Sequence, residues 1–284
     1  MKASMTGFDV RAVSQELDSW AGAYVKKAYM PHYEQIVLRI NPKEADQFDL
    51  VIVRGQRVYT SQRDRPMPMT PPPFAMVLRK HLKNARLTGV EQLGFDRVLL
   101  FRFDTKHGKR SLSVELFRDG NVILMDEDDV IIQPLTHASY AGRTIKKGEV
   151  YIPPPAAMDP YTLTPDVIER IFSDSERDLV STLGGKINLG GVYANAVCDR
   201  SGLNPNSPCE DADAAVVHAS LMYFLEELKT SNQGYLIVKP NEENTLEALQ
   251  IIASQEGHDA AANGVIRETA KAVSYTHLTL PTKA

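Results

Sequence analysis

A series of short apolar segments, with turn signals between several of them, constrains the fold of this chain more than any other feature. The segments fall within residues 23–134 and are four to six residues long, which is typical of strands. Tight-turn dipeptides lie between several of them, including Arg54-Gly55, His107-Gly108 and Asp119-Gly120. Strands joined by such short connections pair antiparallel. We therefore predict strands over residues 24–29, 35–40, 48–53, 56–59, 98–103, 111–116, 121–125 and 130–134.

Helical periodicity appears on both sides of these strands. Thr6 and Asp9 have the spacing of a capping box, which predicts the start of a first helix. Apolar residues three and four positions apart predict a second helix over residues 74–86. The fold class is therefore α+β, with a β-rich N-terminal domain followed by a helical domain. The helices of that second domain are predicted over residues 165–172, 174–184, 192–201 and 213–229.

Changes in composition predict the domain boundaries. The proline run at 153–155 ends a β-rich domain over residues 1–155, and the helical domain covers residues 161–232. Residues 233–245 contain a strand that we expect to return to the first domain. Residues 246–284 lose periodicity and are expected to begin a truncated region. Their Thr-rich end, residues 273–284, is expected to be non-native sequence.

The composition is that of a globular protein without a membrane span. No apolar run approaches the 18 residues that a spanning helix needs, and the first residues do not resemble a secretory signal, so we expect a cytoplasmic protein. Two cysteines cannot build a four-cysteine zinc site, and the seven histidines show no metal-binding spacing. No cofactor, no metal and no catalytic residue are predicted.

Charge is distributed unevenly, which permits an anionic partner for the first domain. Residues 1–160 contain 23 Lys and Arg against 19 Asp and Glu, whereas the rest of the chain carries a net charge of about −8. The predicted helix over 74–86 presents Arg79, Lys80 and Lys83 away from its apolar stripe. These side chains either contact phosphates, releasing counterions, or form a solvated face.

Asp96 and Arg97 lie where a predicted turn becomes a strand. The Arg fork suits a phosphate or a base edge, and the Asp carboxylate accepts from an amino group. The alternative is a salt bridge within the turn. Asp9 has the same two interpretations, as a functional carboxylate or as a helix cap.

The glycine-rich loop over residues 186–191 precedes a predicted helix. Its main-chain N–H groups could converge on one phosphate in front of the helix dipole. Lys186, Asn188, Gly190 and Gly191 are the candidate phosphate-binding residues. The alternative is a plain helical hairpin in which the glycines stop the helices.

Five sequence blocks, in order, resemble the N-terminal part of archaeal NFACT proteins. This is the family of the ribosome quality-control tailing factors and the nuclear export mediator factor, often labelled fibronectin-binding-protein-A-like. The resemblance covers most of residues 5–155. The blocks are TGFDVRAVSQEL, PPPFAMVLRKHLKNARL, GFDRVLLFRF, ELFRDGNVILMD and GEVYIPPP.

The helical domain resembles the helix–two-turns–helix part of the formamidopyrimidine-DNA glycosylases, whose N-terminal domain the β-rich domain is expected to resemble as well. The matching run is INLGGVYANAVCDRSGLNPNSP. Those enzymes use an N-terminal proline amine as nucleophile and usually close with a four-cysteine zinc finger. This chain begins Met1-Lys2-Ala3 and has two cysteines. The resemblance therefore implies the phosphate-gripping architecture without the glycosylase chemistry.

The NFACT resemblance implies a binding factor rather than an enzyme. Its expected partners are tRNA, alanine-type in prokaryotic relatives, and a large ribosomal subunit obstructed by peptidyl-tRNA; no membrane is expected. The factor would recruit charged tRNA for untemplated tailing of the stalled chain, and the ribosome would form the peptide bonds. Asp9, Asp96 and Arg97 match the family positions tied to tailing. The alternative is a DNA-lesion-binding protein or glycosylase.

Overall fold

The α+β fold class is confirmed by a computed structural model that describes residues 4–63, 65–117 and 120–230. The predicted returning strand within residues 233–245 and the predicted tail over 246–284 lie outside the described residues. The helices are α1 (Gly7–Asp18), α2 (Pro73–Leu82), α3 (Pro165–Ser173), α4 (Leu179–Gly185), α5 (Gly191–Ser201) and α6 (Ala214–Thr230). The main strands are β1 (Tyr24–His32), β2 (Gln35–Asn41), β3 (Phe48–Val53), β4 (Arg57–Ser61), β5 (Arg86–Gln92), β6 (Val98–Thr105), β7 (Gly108–Glu115), β8 (Val122–Met125) and β9 (Ile131–Pro134).

The nine strands form one antiparallel sheet with the order β4-β3-β2-β1-β5-β6-β7-β8-β9. All eight predicted strands are present in it, and the β3–β4 connection is the predicted tight hairpin, with Gly55 at φ +65°. Two meanders, β1–β4 and β5–β9, therefore lie side by side in the sheet.

The two meanders meet at a short seam between β1 and β5. Only Tyr24 and Arg86 pair in register there. Main-chain hydrogen bonds extend the seam, including Leu87 N–H to the Ala23 carbonyl at 2.8 Å and Val25 N–H to the Ala85 carbonyl at 2.9 Å. Helix α1 strengthens this junction, because Asp18 Oδ1 accepts from Val90 N–H at 2.9 Å.

The predicted helix over residues 74–86 is too long. Helix α2 ends at Leu82, Lys83 is extended, and Asn84 adopts a left-handed φ of 60°. Asparagine tolerates this conformation better than most residues. The Asn84 N–H then donates to the Val25 carbonyl at 2.8 Å, so the chain leaves the helix and enters β5, a strand that the sequence did not predict.

The second predicted helix of the helical region begins later than expected. Helix α4 starts at Leu179, where Asp178 caps it by accepting from Ser181 N–H at 2.8 Å. A small two-stranded sheet, β10 (Ala138–Tyr140) and β11 (Arg143–Ile145), was also not predicted. Its strands are only three residues long, too short to show periodicity.

The chain divides into two compact units. Within the described residues, unit 1 contains positions up to Leu93 together with Arg97–Pro154, and unit 2 contains Gly94–Asp96 together with residues from Pro155 onward. The core of unit 1 lies between α1, α2 and one face of the sheet, where Val10, Val13 and Leu78 are fully buried. The turn that precedes β6 thus belongs partly to each unit.

Candidate functional site

The β5–β6 turn, residues 93–97, is held by neighbours on either side of Asp96. Gly94 takes the left-handed conformation at φ +58°, and the Phe95 side chain is fully buried within unit 2, at 6.0 Å from the Tyr161 ring. In unit 1, the Arg97 carbonyl accepts from Leu116 N–H at 2.7 Å. The side chains of Asp96 and Arg97 are half-buried. Their main chain is therefore fixed while part of each side chain reaches solvent.

Asp9 forms the predicted capping box at the start of α1. Its Oδ2 accepts from Thr6 N–H at 2.6 Å and from the Thr6 hydroxyl at 2.8 Å, and the residue is fully buried. Gln92, the last residue of β5, donates to the Gly7 carbonyl at 2.9 Å and accepts from Arg11 Nε at 3.2 Å. These bonds place the first turn of α1 beside the strand that leads into the β5–β6 turn.

Asn188 connects two of the predicted sites within unit 2. Its Nδ2 donates to the Phe95 carbonyl at 3.2 Å, so the glycine-rich loop contacts the residue directly before Asp96. Asn188 itself has a left-handed φ of 64°. Lys186 is used in a similar way, because its Nζ donates to the Asp174 carbonyl at 2.8 Å. Both side chains fix the loop within unit 2.

The start of α5 presents main-chain donors rather than side-chain donors. Gly190 occupies the N-cap with φ +75° and has no side chain to cap the helix. Gly190 N–H donates to the Gly184 carbonyl at 3.0 Å, which leaves the N–H groups of the exposed residues Gly191 and Val192 as the first donors of the helix. An anion at this position would be favoured by the helix dipole.

Arg79 differs from the other cations of α2 because it is built into the fold. Its Nε donates to the Ala28 carbonyl at 2.7 Å, and its guanidinium lies 5.3 Å from the centre of the Tyr29 ring. Lys80 and Lys83 are exposed, and their side chains make no hydrogen bond or ion pair with another described residue. Arg79 thus contacts β1, whereas within unit 1 the Arg97 carbonyl is bonded to Leu116, directly after β7.

The surroundings of His81 are positively charged as well. Burial lowers the pKa of its imidazole, and the nearby Arg110, Lys80 and His107 lower it further. These groups come from α2 and from the β6–β7 hairpin. The C-terminal end of α2 therefore lies near basic side chains of the β6–β7 hairpin.

A buried ion pair supports the end of β7, next to the residue that holds Arg97. Arg143 donates to both carboxylate oxygens of Glu115, at 2.5 and 3.2 Å, and Glu115 is fully buried. The Tyr151 hydroxyl donates to the same carboxylate at 3.0 Å and accepts from Ser113 at 2.9 Å. Burial and the Glu115 charge raise the pKa of Tyr151. Every oxygen of this carboxylate is thereby satisfied.

Two contacts at the site have no sequence signal that could have revealed them. Asn188 reaches Phe95 from 93 positions away, and Arg79 reaches Ala28 from 51 positions away. Sequence separations of this length do not correspond to the periodicity of a helix or a strand, so a single sequence gives no sign of these contacts. By contrast, the spacing of Thr6 and Asp9 was sufficient to predict their reciprocal bonds.

The described residues contain no group of three or more His, Cys, Asp and Glu side chains that could hold a metal ion. Within the same part of the chain, no helix is long and apolar enough to cross a membrane. What these residues present is a set of anchored polar and cationic groups suited to binding. Residues 6–268 match the family described as NFACT N-terminal and middle domains, and the chain belongs to this family.

Individual relatives agree with this assignment. The chain is 33% identical over 255 residues to the archaeal Rqc2 homolog aRqcH of Methanocaldococcus jannaschii, with 85% of this chain and 38% of that protein aligned. It is 28% identical over 261 residues to the human ribosome quality control complex subunit NEMF, aligning 87% of this chain with 24% of that protein. The chain therefore spans less than two fifths of the length of these relatives.

A solved structure shows the same fold. The N-terminal part of the fibronectin/fibrinogen-binding protein from Streptococcus suis superposes with a TM-score of 0.66 at 24% sequence identity. The superposition covers 89% of this chain and 100% of that one. The mixed architecture with a large antiparallel sheet is thus shared with a known N-terminal region.

Proposed function

We propose that this chain is the tRNA-binding N-terminal part of a ribosome quality-control factor. The factor binds a large ribosomal subunit obstructed by peptidyl-tRNA and recruits charged tRNA, alanine-type, for untemplated tailing of the stalled chain. Membership of the NFACT family, whose relatives include proteins named for ribosome quality control, is the observation that carries the proposal. The factor works in the cytoplasm, where its ribosomal partner is found.

The anchored β5–β6 turn supports a role for Asp96 and Arg97 in tRNA recognition. Within unit 2 the Phe95 carbonyl before Asp96 is bonded to Asn188, and within unit 1 the Arg97 carbonyl is bonded to Leu116, so each main chain limits where its side chain can reach. An arginine fork pairs with a phosphate or a guanine edge, and a carboxylate accepts from a base amino group. Groups presented on rigid supports position a ligand more accurately than groups on mobile loops.

Asp9 has a supporting role in this proposal. Its Oδ2 is already engaged with Thr6, so its first effect is to fix the opening turn of α1. The Gln92 side chain donates to the Gly7 carbonyl in this turn, which connects α1 to the end of β5, just before the β5–β6 turn. Substitution of Asp9 would therefore impair tailing by displacing that turn.

The remaining cations and the glycine-rich loop contact the tRNA backbone. Lys80 and Lys83 are exposed and supply charge, and Arg79 offers the part of its guanidinium that Ala28 does not use. In unit 2 the N–H groups of Gly191 and Val192 are the first donors of α5 behind the N-cap Gly190, while the side chains of Lys186 and Asn188 fix the loop. Backbone contacts of this kind set affinity and register without reading sequence.

The protein contributes binding and positioning, and the ribosome forms the peptide bonds. Holding two reactants together lowers a barrier mainly by removing the entropic cost of their encounter. A factor of this kind needs no nucleophile of its own.

Asp96→Ala with Arg97→Ala in the full-length protein tests the proposal. We expect tailing on purified large subunits carrying peptidyl-tRNA to be abolished, with a melting temperature within about 2 °C of the parent. The matched control is Glu91→Ala with Arg102→Ala, an exposed ion pair of 2.6 Å on the same two strands, which removes the same charges and should leave tailing intact. Normal tailing by the Asp96/Arg97 variant would contradict the assignment.

A further inference from the structure

Three cationic groups surround one tyrosine on the β1–β2 part of the sheet. Lys27 Nζ lies 5.3 Å from the centre of the Tyr29 ring, and the guanidinium carbons of Arg39 and Arg79 lie 5.2 and 5.3 Å from it. All four residues belong to unit 1. Tyr29 is half-buried and Lys27 is exposed, so solvent reaches this group.

Among the described residues, only one of the three cations has a carboxylate partner. Arg39 forms a two-pronged pair with Asp49, with Nε to Oδ1 at 2.9 Å and Nη2 to Oδ2 at 3.2 Å. Lys27 and Arg79 form no ion pair with another described residue. Two positive charges that lie no more than about 11 Å apart repel each other, and an anion between them would remove that repulsion.

The fold also positions hydrogen-bond donors of this group that have no partner among the described residues. Arg79 is fixed through Nε on the Ala28 carbonyl, so its terminal nitrogens are held next to the tyrosine ring. Neither those nitrogens, nor the Lys27 ammonium, nor the Tyr29 hydroxyl makes a hydrogen bond to another described residue. An ammonium, a guanidinium and a hydroxyl are together a donor set that suits phosphate oxygens.

The cations continue in a line along α2. Lys83 is the C-cap of α2, and its N–H donates to the Arg79 carbonyl at 3.3 Å, which places Lys83 one turn beyond Arg79. Lys83 is exposed, and the next residue, Asn84, is bonded to β1 at Val25. A row from Lys27 through Arg79 to Lys83 fits a chain of phosphates better than it fits a single phosphate ion.

We propose that Lys27, Tyr29 and Arg79 form a phosphate-binding cradle, the Tyr29 cradle, that holds an RNA backbone phosphodiester. This inference rests on the proposed tRNA-binding function and deepens it, because it adds Lys27 and Tyr29 of β1, which no sequence motif marked, to the candidate phosphate contact Arg79. The cradle is a backbone contact, so it adds affinity and salt dependence without base selectivity.

Lys27→Ala in the full-length protein is the decisive variant, because an exposed lysine can be removed without disturbing the fold. Binding of fluorescein-labelled bulk deacylated tRNA is measured by anisotropy between about 50 and 200 mM salt. We expect a loss of affinity of about three- to tenfold and a salt slope smaller by about 1. Tyr29→Phe, which removes only the hydroxyl, should weaken binding about twofold.

Lys26→Ala is the matched control. It is the neighbouring exposed lysine of the same strand, but its Nζ is bonded to Gln47 at 2.9 Å and takes no part in the cradle. If Lys27→Ala and Lys26→Ala have the same affinity and salt slope while the parent binds tRNA, the cradle is overturned and the proposed function stands. If the parent itself does not bind tRNA, both proposals fail.

Discussion

The β5–β6 turn and the outer surface of α2 are both proposed to contact tRNA, yet their neighbours hold them very differently. The turn is fixed by a fully buried Phe95 and by main-chain bonds at Arg97, whereas Lys80 and Lys83 of α2 are exposed. Exposed lysines attract the tRNA electrostatically, and because many side chains share this attraction, each contributes little to the affinity. A fixed turn supplies geometry, which a single substitution can destroy. Affinity and positioning are therefore expected to separate in experiments.

Removal of the turn's anchor should have the largest effect. Phe95→Ala is expected to lower the free energy of unfolding by about 3–5 kcal/mol, because it leaves a cavity at a side chain with 0% exposure. Urea unfolding followed by circular dichroism measures the change, and Met69→Ala, at a fully exposed methionine, is the control. A loss below about 1 kcal/mol would show that the turn is not anchored through Phe95.

Loss of the buried Arg143–Glu115 ion pair should have the next largest effect on the free energy of unfolding. Arg143→Ala leaves the fully buried Glu115 carboxylate without its guanidinium, and we expect a loss of about 3 kcal/mol. Arg102→Ala removes the same residue type from a pair that is 50% exposed on both sides, and should cost at most about 1 kcal/mol. Equal losses in the two variants, measured by the same urea unfolding, would contradict this ranking.

Stability should also fall at high pH through Tyr151. Burial and the Glu115 charge raise its pKa in the folded state above the usual value of about 10. The stability that Tyr151 contributes is therefore complete well below pH 10 and is lost as the pH rises beyond that value, by on the order of 1 kcal/mol at pH 11. Unfolding of the parent and of Tyr151→Phe at pH 8 and pH 11 measures this loss. The phenylalanine variant should show a smaller decline, and an identical decline would rule out Tyr151 as its source.

The exposed lysines of α2 should have the smallest effect. Lys80→Gln with Lys83→Gln is expected to weaken tRNA binding about two- to fivefold near 100 mM salt and to reduce the salt slope by up to about 2. Stability should be unchanged, because neither side chain bonds to another described residue. Lys43→Gln, at another exposed lysine of unit 1, is the anisotropy control. A complete loss of tailing would mean that these lysines position the tRNA rather than attract it.

Most of the sheet could be predicted from the sequence because turn-forming residues mark the ends of several strands. Several predicted strands are followed by a glycine, asparagine or proline signal, and Gly55 and Gly108 do take positive φ values. Strand β5 escaped prediction because Leu87 and Val90 are its only buried apolar side chains. It also follows a helical pattern whose end depends on one left-handed residue, Asn84.

The site was predictable only where its residues are close in sequence. The Thr6–Asp9 box has a fixed spacing of three residues, and the structure contains it. The bond from Asn188 to the Phe95 carbonyl and the placement of Arg79 beside Tyr29 depend on how distant segments pack. Asp96 and Arg97 were singled out by resemblance to a family, since their own chemistry equally suits an ordinary turn.

The seam between the two meanders has a consequence for how the chain tolerates being cut. The connection from β4 to β5 runs through the exposed, proline-rich stretch around Met69, which forms no strand among its described residues. A protease nick at Met69 would sever the covalent link between the meanders. Helix α1 and the β1–β5 bonds would still clamp the two fragments together. The fragments should therefore co-elute as one particle and, when expressed from separate genes, should reassemble by complementation.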